Sequence, residues 1–237
     1  MKKSNSFFIR VFYANTIFFL FNVFLFLAFP KFDIYFSELF FLNGEFLDQH
    51  FHVIKLLRNF LKDILIIIPL LSLTMLIIII INKSQKVLIN NNKSLRRFKL
   101  FLCGLIFGPI VGCGIIANLY FKDTWGRARP VHIEEFGGSK LFTAAMIKSD
   151  QCEKNCSWIG GETSAAFSLL TGTLILKRAY IILAINFLLG ALVTFCRLAM
   201  GGHFLSDNLF AINFMIFLAL LYRIISLWCV KEKLITK

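Results

Sequence analysis

The sequence predicts an all-α, polytopic membrane protein, a bundle of six transmembrane helices forming one membrane-embedded domain over residues 1–237. Three observations predict it. Of the 237 residues, 58% are hydrophobic, above the share found in ordinary soluble domains. Apolar runs reach the roughly 20 residues needed to cross a hydrocarbon core; the clearest, 64–81, carries no charge. The basic residues fall on alternate connections, as they do when those connections stay on the cytoplasmic side.

The spans are expected at 11–29, 63–82, 100–121, 162–176, 180–200 and 207–228. The first follows Lys2, Lys3 and Arg10 and ends in Leu27-Ala-Phe-Pro-Lys31 without a small-residue cleavage site, so it reads as an uncleaved anchor. Between spans one and two, Val53, Leu56, Leu57, Phe60 and Leu61 recur at helical spacing, with His52, Lys55, Arg58 and Asn59 between them. That pattern fits an amphipathic helix along the outer interface or a plain extension of span two. In span three, Gly104, Gly108 and Gly112 form a small-residue stripe that lets a neighbouring helix approach. Span four is the shortest.

With both termini inside, the inner segments hold Lys2, Lys3, Arg10, Lys83, Lys86, Lys93, Arg96, Arg97, Lys99, Lys177, Arg178, Lys231, Lys233 and Lys237, against the single acid Glu232. Asp33, Glu38, Glu45, Asp48, Glu134, Glu135, Asp150 and Glu153 fall outside. The net charge of +13 is therefore a topology signal and not a nucleic-acid footprint. Cys103, Cys113, Cys196 and Cys229 sit in or beside apolar segments as small packing residues, while Cys152 and Cys156 lie together in the longest polar loop. Neither the cysteines nor His50, His52, His132 and His203 show metal-ligand spacing, and no metal site is expected.

Three polar clusters fall on the outer side. Lys122-Asp-Thr-Trp-Gly-Arg-Ala-Arg129-Pro130 leaves span three, Trp158-Ile-Gly-Gly161-Glu162-Thr-Ser164 enters span four, and Arg197-Leu-Ala-Met-Gly-Gly-His203-Phe-Leu-Ser-Asp207 joins spans five and six. Lys122, Arg129 and Arg197 supply three cations, two of them guanidinium forks suited to phosphate oxygens. The Gly160-Gly161 pair before Glu162 exposes backbone N–H groups at a helix start, an anion site with the helix dipole behind it. His203 follows two glycines, and Asp207 one turn later is placed to orient it and stabilise its charged form. A neutral histidine among cations is suited to attack phosphorus. Arg127 is expected as a loop or rim cation.

These clusters resemble the signature of the type 2 phosphatidic acid phosphatase superfamily: Lys-x6-Arg-Pro, then Pro-Ser-Gly-His, then Ser-Arg-x5-His-x3-Asp. The motif-bearing core is 100–217, and the six-span layout extends the resemblance over the chain. The resemblance implies that His203 forms a phosphohistidine with Asp207 in support, that Lys122, Arg129, Arg197 and the Gly161 N–H hold the phosphate, and that no metal or other cofactor is needed. Two positions depart from the pattern. Gly160, Gly161 and Glu162 stand where the family has Ser, Gly and His, and Cys196 replaces the Ser of the third motif. By the resemblance, Glu162 must then serve as the acid for the leaving oxygen, which requires a raised pKa, or the role is unfilled.

Within the superfamily, the first and third clusters and the Cys152-x3-Cys156 loop are most similar to bacterial lipid A phosphatases of the 4′ type. That implies a phosphomonoesterase of a Gram-negative inner membrane whose partner is a phosphorylated lipid, lipid A, met at the periplasmic face. Cys152 and Cys156 would there face an oxidising compartment and either pair or remain free. The same chemistry would serve lipid A at position 1, phosphatidylglycerophosphate or undecaprenyl pyrophosphate. A lipid-binding or transport protein on the same fold would need the cations but not His203 with Asp207.

Overall fold

The computed structural model describes residues 2–82, 93–176 and 180–235. Lys83, Lys86, Lys177, Arg178 and Lys237, assigned above to inner segments, lie outside the described residues. The chain begins with α1 (Lys2–Ala28), α2 (Phe32–Glu38), a hairpin of β1 (Phe41–Leu42) and β2 (Glu45–Phe46), α3 (Leu47–His50) and α4 (His52–Ile81). After the 83–92 stretch come α5 (Lys93–Gly108), a π-helical segment (Pro109–Lys122), two 3₁₀ turns in the loop that follows, α6 (Gly161–Ser168), α7 (Leu170–Thr173), α8 (Tyr180–Ala199) and α9 (Leu205–Ile235).

Among the described residues, five helices are long and apolar enough to cross a membrane: Phe7–Ala28, His52–Ile81, Ser94–Lys122, Tyr180–Ala199 and Leu205–Trp228. Residues 52–62 extend span two, because α4 runs unbroken through them. Span three changes register at Pro109, which has no N–H for the i−4 carbonyl, and the following turns take the wider π form.

The fourth expected span differs from the other five. It forms α6 and α7, short and almost wholly buried, and it does not qualify by length among the described residues. Its position explains its composition. Thr163, Ser164, Ser168 and Thr171 are each fully buried in protein rather than facing lipid, where polar side chains are tolerated. α5 and α7 touch almost backbone to backbone: a Cβ on Gly104 would lie 2.6 Å from the Gly172 Cα, and one on Gly172 would lie 2.6 Å from the Phe101 carbonyl oxygen. The glycine stripe thus packs against the central segment, as its spacing predicts.

α1 is knit to α9 by Phe19 against Phe210, Phe214 and Phe217, and by Asn22 Nδ2 donating to Asn213 Oδ1 at 2.9 Å. At one end of the bundle a second, smaller core forms outside the helices. Ile34, Phe46, Ala128, Ile133, Phe136 and Phe204 pack there, and the hairpin turn reverses through Asn43 and Gly44, both at positive φ. This cap of α2, the hairpin and the 123–160 loop fixes the residues that face inward beneath it.

Candidate active site

The helix ends beneath this cap bring the three polar clusters together. α8 closes with Gly202 N–H donating to the Arg197 carbonyl at 2.9 Å, and Gly201 adopts φ +57°, a left-handed conformation that favours glycine. A Cβ on Gly202 would lie 2.6 Å from the Arg197 Cζ. Both glycines are thus needed for His203 to turn back over Arg197.

His203 is 1% exposed. Its Nδ1 lies 2.8 Å from the Ser157 carbonyl oxygen and 3.7 Å from Asp207 Oδ2. A carbonyl only accepts, so Nδ1 carries the proton and Nε2 keeps its lone pair. Burial pushes the imidazole pKa well below its ordinary value; the Lys122 and Arg197 charges push the same way, and the Asp207 carboxylate opposes them. The group is a neutral imidazole with an unshared nitrogen.

Asp207 is expected to orient His203, and the structure adds an intermediary. Its Oδ2 accepts from the Ser157 hydroxyl and from Phe204 N–H at 2.8 Å, and its Oδ1 accepts from Arg127 Nη1 at 2.5 Å. The direct hydrogen bond to the ring belongs to the Ser157 carbonyl, so the aspartate acts through Ser157 as well as through its charge. Arg127 is not the rim cation predicted. It is fully buried between two carboxylates, with Nη2 donating to Asp33 Oδ2 at 2.8 Å. The Phe204 ring centre lies 4.2 Å from its Cζ. A charge this deep persists only when paired.

The expected phosphate-binding groups converge on the same spot. Lys122 Nζ donates to Asn155 Oδ1 at 3.2 Å, and Arg129 Nη2 donates to the same oxygen at 3.0 Å and to the Asn155 carbonyl at 2.8 Å. A Cβ on Gly161 would come 3.0 Å from Lys122 Nζ, so a glycine there leaves room for the lysine. Arg197 is 6% exposed, and its Nε is buried with no hydrogen-bond partner. A buried unpaired guanidinium donor is costly unless an acceptor arrives from outside.

Glu162 departs most from expectation. Arg58 of α4 grips it, with Nε 3.1 and 3.0 Å from the two carboxylate oxygens and Nη2 closing an ion pair to Oε1. Arg197 Nη1 stands 3.8 Å from that oxygen. A guanidinium on both oxygens favours the charged carboxylate, whereas a leaving-group acid needs the protonated form.

Cys152 and Cys156 form a disulfide with Cα atoms 5.6 Å apart, closing a small ring that carries Asn155. Denatured, non-reduced protein should therefore show two fewer reactive thiols than the same sample after reduction; equal counts would exclude the bond. Sequence reasoning does not single out Arg58, Asp33, Asn155 or Ser157 for the site. Among the described residues, no group of three or more His, Cys, Asp or Glu side chains gathers as metal ligands.

A bundle of membrane-length helices with a buried imidazole among cations defines a protein built to handle a phosphate-like anion. The chain belongs to the PAP2 superfamily, whose family model matches residues 97–231. It is 36% identical over 121 residues to a lipid A 4′-phosphatase of Francisella tularensis subsp. novicida, covering 48% of this chain and 54% of that one. It is 30% identical over 197 residues to a lipid A 4′-phosphatase of Rhizobium etli, covering 77% and 74% of the two chains. A Rhizobium leguminosarum protein of the same name is 28% identical over 197 residues, covering 77% and 82%. The match thus spans about half the length of the Francisella relative and most of the rhizobial ones. No solved structure matches the chain. Family and relatives together support a phosphoric monoester hydrolase.

Proposed function

We propose that this chain removes the 4′-phosphate monoester of lipid A at the periplasmic face of a bacterial inner membrane, without a metal, through a phosphohistidine. The observation that carries the reading is His203: buried, neutral, its Nδ1 committed to Ser157 and its Nε2 unshared, beside the orphaned Arg197 Nε. In this mechanism Nε2 attacks phosphorus while Lys122, Arg129, Arg197 and the Gly161 N–H hold the non-bridging oxygens. The P–O bond to the lipid breaks, and the leaving oxygen keeps the electron pair and takes a proton from solvent. Asp207 and Ser157 stabilise the charge that develops on the ring. Water then attacks phosphorus and loses a proton to solvent, the P–N bond breaks with its electron pair returning to Nε2, and inorganic phosphate leaves a neutral His203.

A lipid substrate is supported by a cleft of about 540 Å³ between α4 and the π-helical segment. Leu65, Ile66, Leu70 and Ile110 line its apolar length, and Lys122 and Glu162 lie on its wall. Acyl chains would remain in apolar surroundings while the phosphate reached the cations. In this reading α6 and α7 complete a sixth crossing inside the bundle. The termini are cytoplasmic, on the side of Arg10, Arg96, Arg97 and Lys99.

The test is mass spectrometry of bis-phosphorylated lipid A incubated with detergent-purified protein in EDTA. Loss of one phosphate, placed at position 4′ by fragment ions, is the expected result. Loss from position 1, or from phosphatidylglycerophosphate or undecaprenyl pyrophosphate alone, would move the substrate while keeping the chemistry. Lipid binding without phosphate release from any of them would favour a binding or transport protein.

A further inference from the structure

We propose that Arg58 is a fourth cationic ligand of the substrate phosphate, and that Glu162 is its positioning residue, the two together standing in for the histidine of the family's middle motif. The proposal rests on the phosphatase reading above and names a residue that no motif contains. Its basis is geometric. Arg58 comes from α4, and its guanidinium reaches residue 162 across 104 positions of sequence. It closes on both carboxylate oxygens, while Arg197 approaches the same carboxylate from α8. Arg58 and Arg197 thus meet on one carboxylate, which lines the same cleft as Lys122, while Lys122 and Arg129 share Asn155. Glu162 is the anion that ties Arg58 to this group of cations.

Two features speak against a purely structural pair. The side chains are 26% and 22% exposed, at the mouth of the site rather than in a core, and partly exposed ion pairs add little to folding. A guanidinium also carries five N–H donors. Glu162 engages Nε and one Nη2 donor, and Asn59 Oδ1 engages one on Nη1 at 3.2 Å. Two donors therefore remain for phosphate oxygens while Arg58 stays on its tether. A histidine at position 162 would bring its own charge to the phosphate; a glutamate cannot, and Arg58 restores it. Glu162 faces Arg58 and Arg197, two cations that its carboxylate holds together.

The experiment is calorimetric titration of the full-length protein in detergent with orthovanadate, with steady-state kinetics and pH profiles on lipid A, for wild type, Arg58→Gln, Arg58→Lys, Glu162→Gln and the Arg58→Gln/Glu162→Gln double variant. Arg58→Gln should bind vanadate about tenfold or more weakly, the scale of a lost charge-assisted hydrogen bond, and Arg58→Lys should recover part of that. Glu162→Gln should weaken binding less than Arg58→Gln and leave the acid-to-neutral pH profile unchanged. The double variant should be no worse than Arg58→Gln. Unchanged vanadate affinity in Arg58→Gln would overturn the proposal alone. So would loss of the pH limb in Glu162→Gln, which would return that residue to the acid role. If wild type itself failed to bind vanadate and released no phosphate, the phosphatase reading would fall and the proposal with it.

Discussion

His203→Ala should abolish phosphate release from lipid A, by about 10⁴-fold or more, as expected for loss of a nucleophile that works as one unit with its neighbours. The variant should remain folded, since the smaller alanine side chain still fits after the Gly201-Gly202 turn and leaves the Asp207–Arg127–Asp33 contacts in place. The Ser157 carbonyl would lose its partner, a cost of about 1–3 kcal/mol. Base-quenched samples of wild type should carry phosphate that is stable in base and released by acid, and His203→Ala should carry none. The pH dependence follows from the same geometry. Burial depresses the His203 pKa, so the neutral, nucleophilic form persists below the ordinary histidine value of about 6.5. The acid limb caused by this residue should therefore lie below that value. An acid limb centred near 6.5, matched by the titration of the His203 ring followed by NMR, would show that the ring is more solvated than its surroundings imply. Labelled phosphoenzyme persisting in His203→Ala would assign the nucleophile elsewhere.

What is legible in the sequence and what is not divides along one physical line. Spacing along the chain reports what neighbours in sequence do, and long apolar runs report what faces lipid. Lys122, Arg129, Arg197, His203 and Asp207 announce themselves because each sits at or near a helix end where its cluster is contiguous. The same holds for the glycine stripe, whose period matches the helix it lies on. Span four is the hardest to read because hydropathy measures exposure to lipid, and α6 and α7 are enclosed by protein, where Thr163 and Ser164 need no apolar disguise. Arg58 registers only as a polar position on a helical pattern, since its partner lies 104 residues away. Arg127 misleads outright. A charge in a polar loop is ordinarily solvated, and only the fold brings Asp33 and Asp207 to it from 94 and 80 residues away. Glu162 stands at the site as expected but tied to Arg58, a partner that sequence spacing does not contain.

Arg127→Met should be the most destabilising single substitution around the loop that joins the π-helical segment to α6. Two carboxylates share one buried guanidinium: Asp207 on Nη1 and Asp33 on Nη2, all three side chains fully buried. Asp33 also accepts from Ser206 N–H at 2.9 Å and from the Ser206 hydroxyl at 2.5 Å, so α2 is tied through it to the start of α9. Methionine would fill the volume beside Phe204 but strand both carboxylates. Removing one partner of a buried pair costs about 3–5 kcal/mol, enough to lower the unfolding temperature of a chain this size by roughly 10 °C or more. Asp33→Asn should cost far less. Burial already pushes the Asp33 carboxyl pKa upward, with the Asp207 charge adding to it and Arg127 opposing. A neutral amide oxygen can still accept from Arg127 and Ser206. The double variant Asp33→Asn/Arg127→Met should then be more stable than Arg127→Met alone, because one stranded charge has been removed. Thermal unfolding of the detergent-solubilised proteins measures all three. If Arg127→Met unfolded within about 2 °C of wild type, well inside the shift expected for a broken buried pair, the guanidinium would not be the charge that makes this buried acidic pair tolerable. If the double variant were less stable than the sum of its parts, Asp33 would be holding α2 to α9 chiefly through Ser206, and Arg127 would serve Asp207 alone.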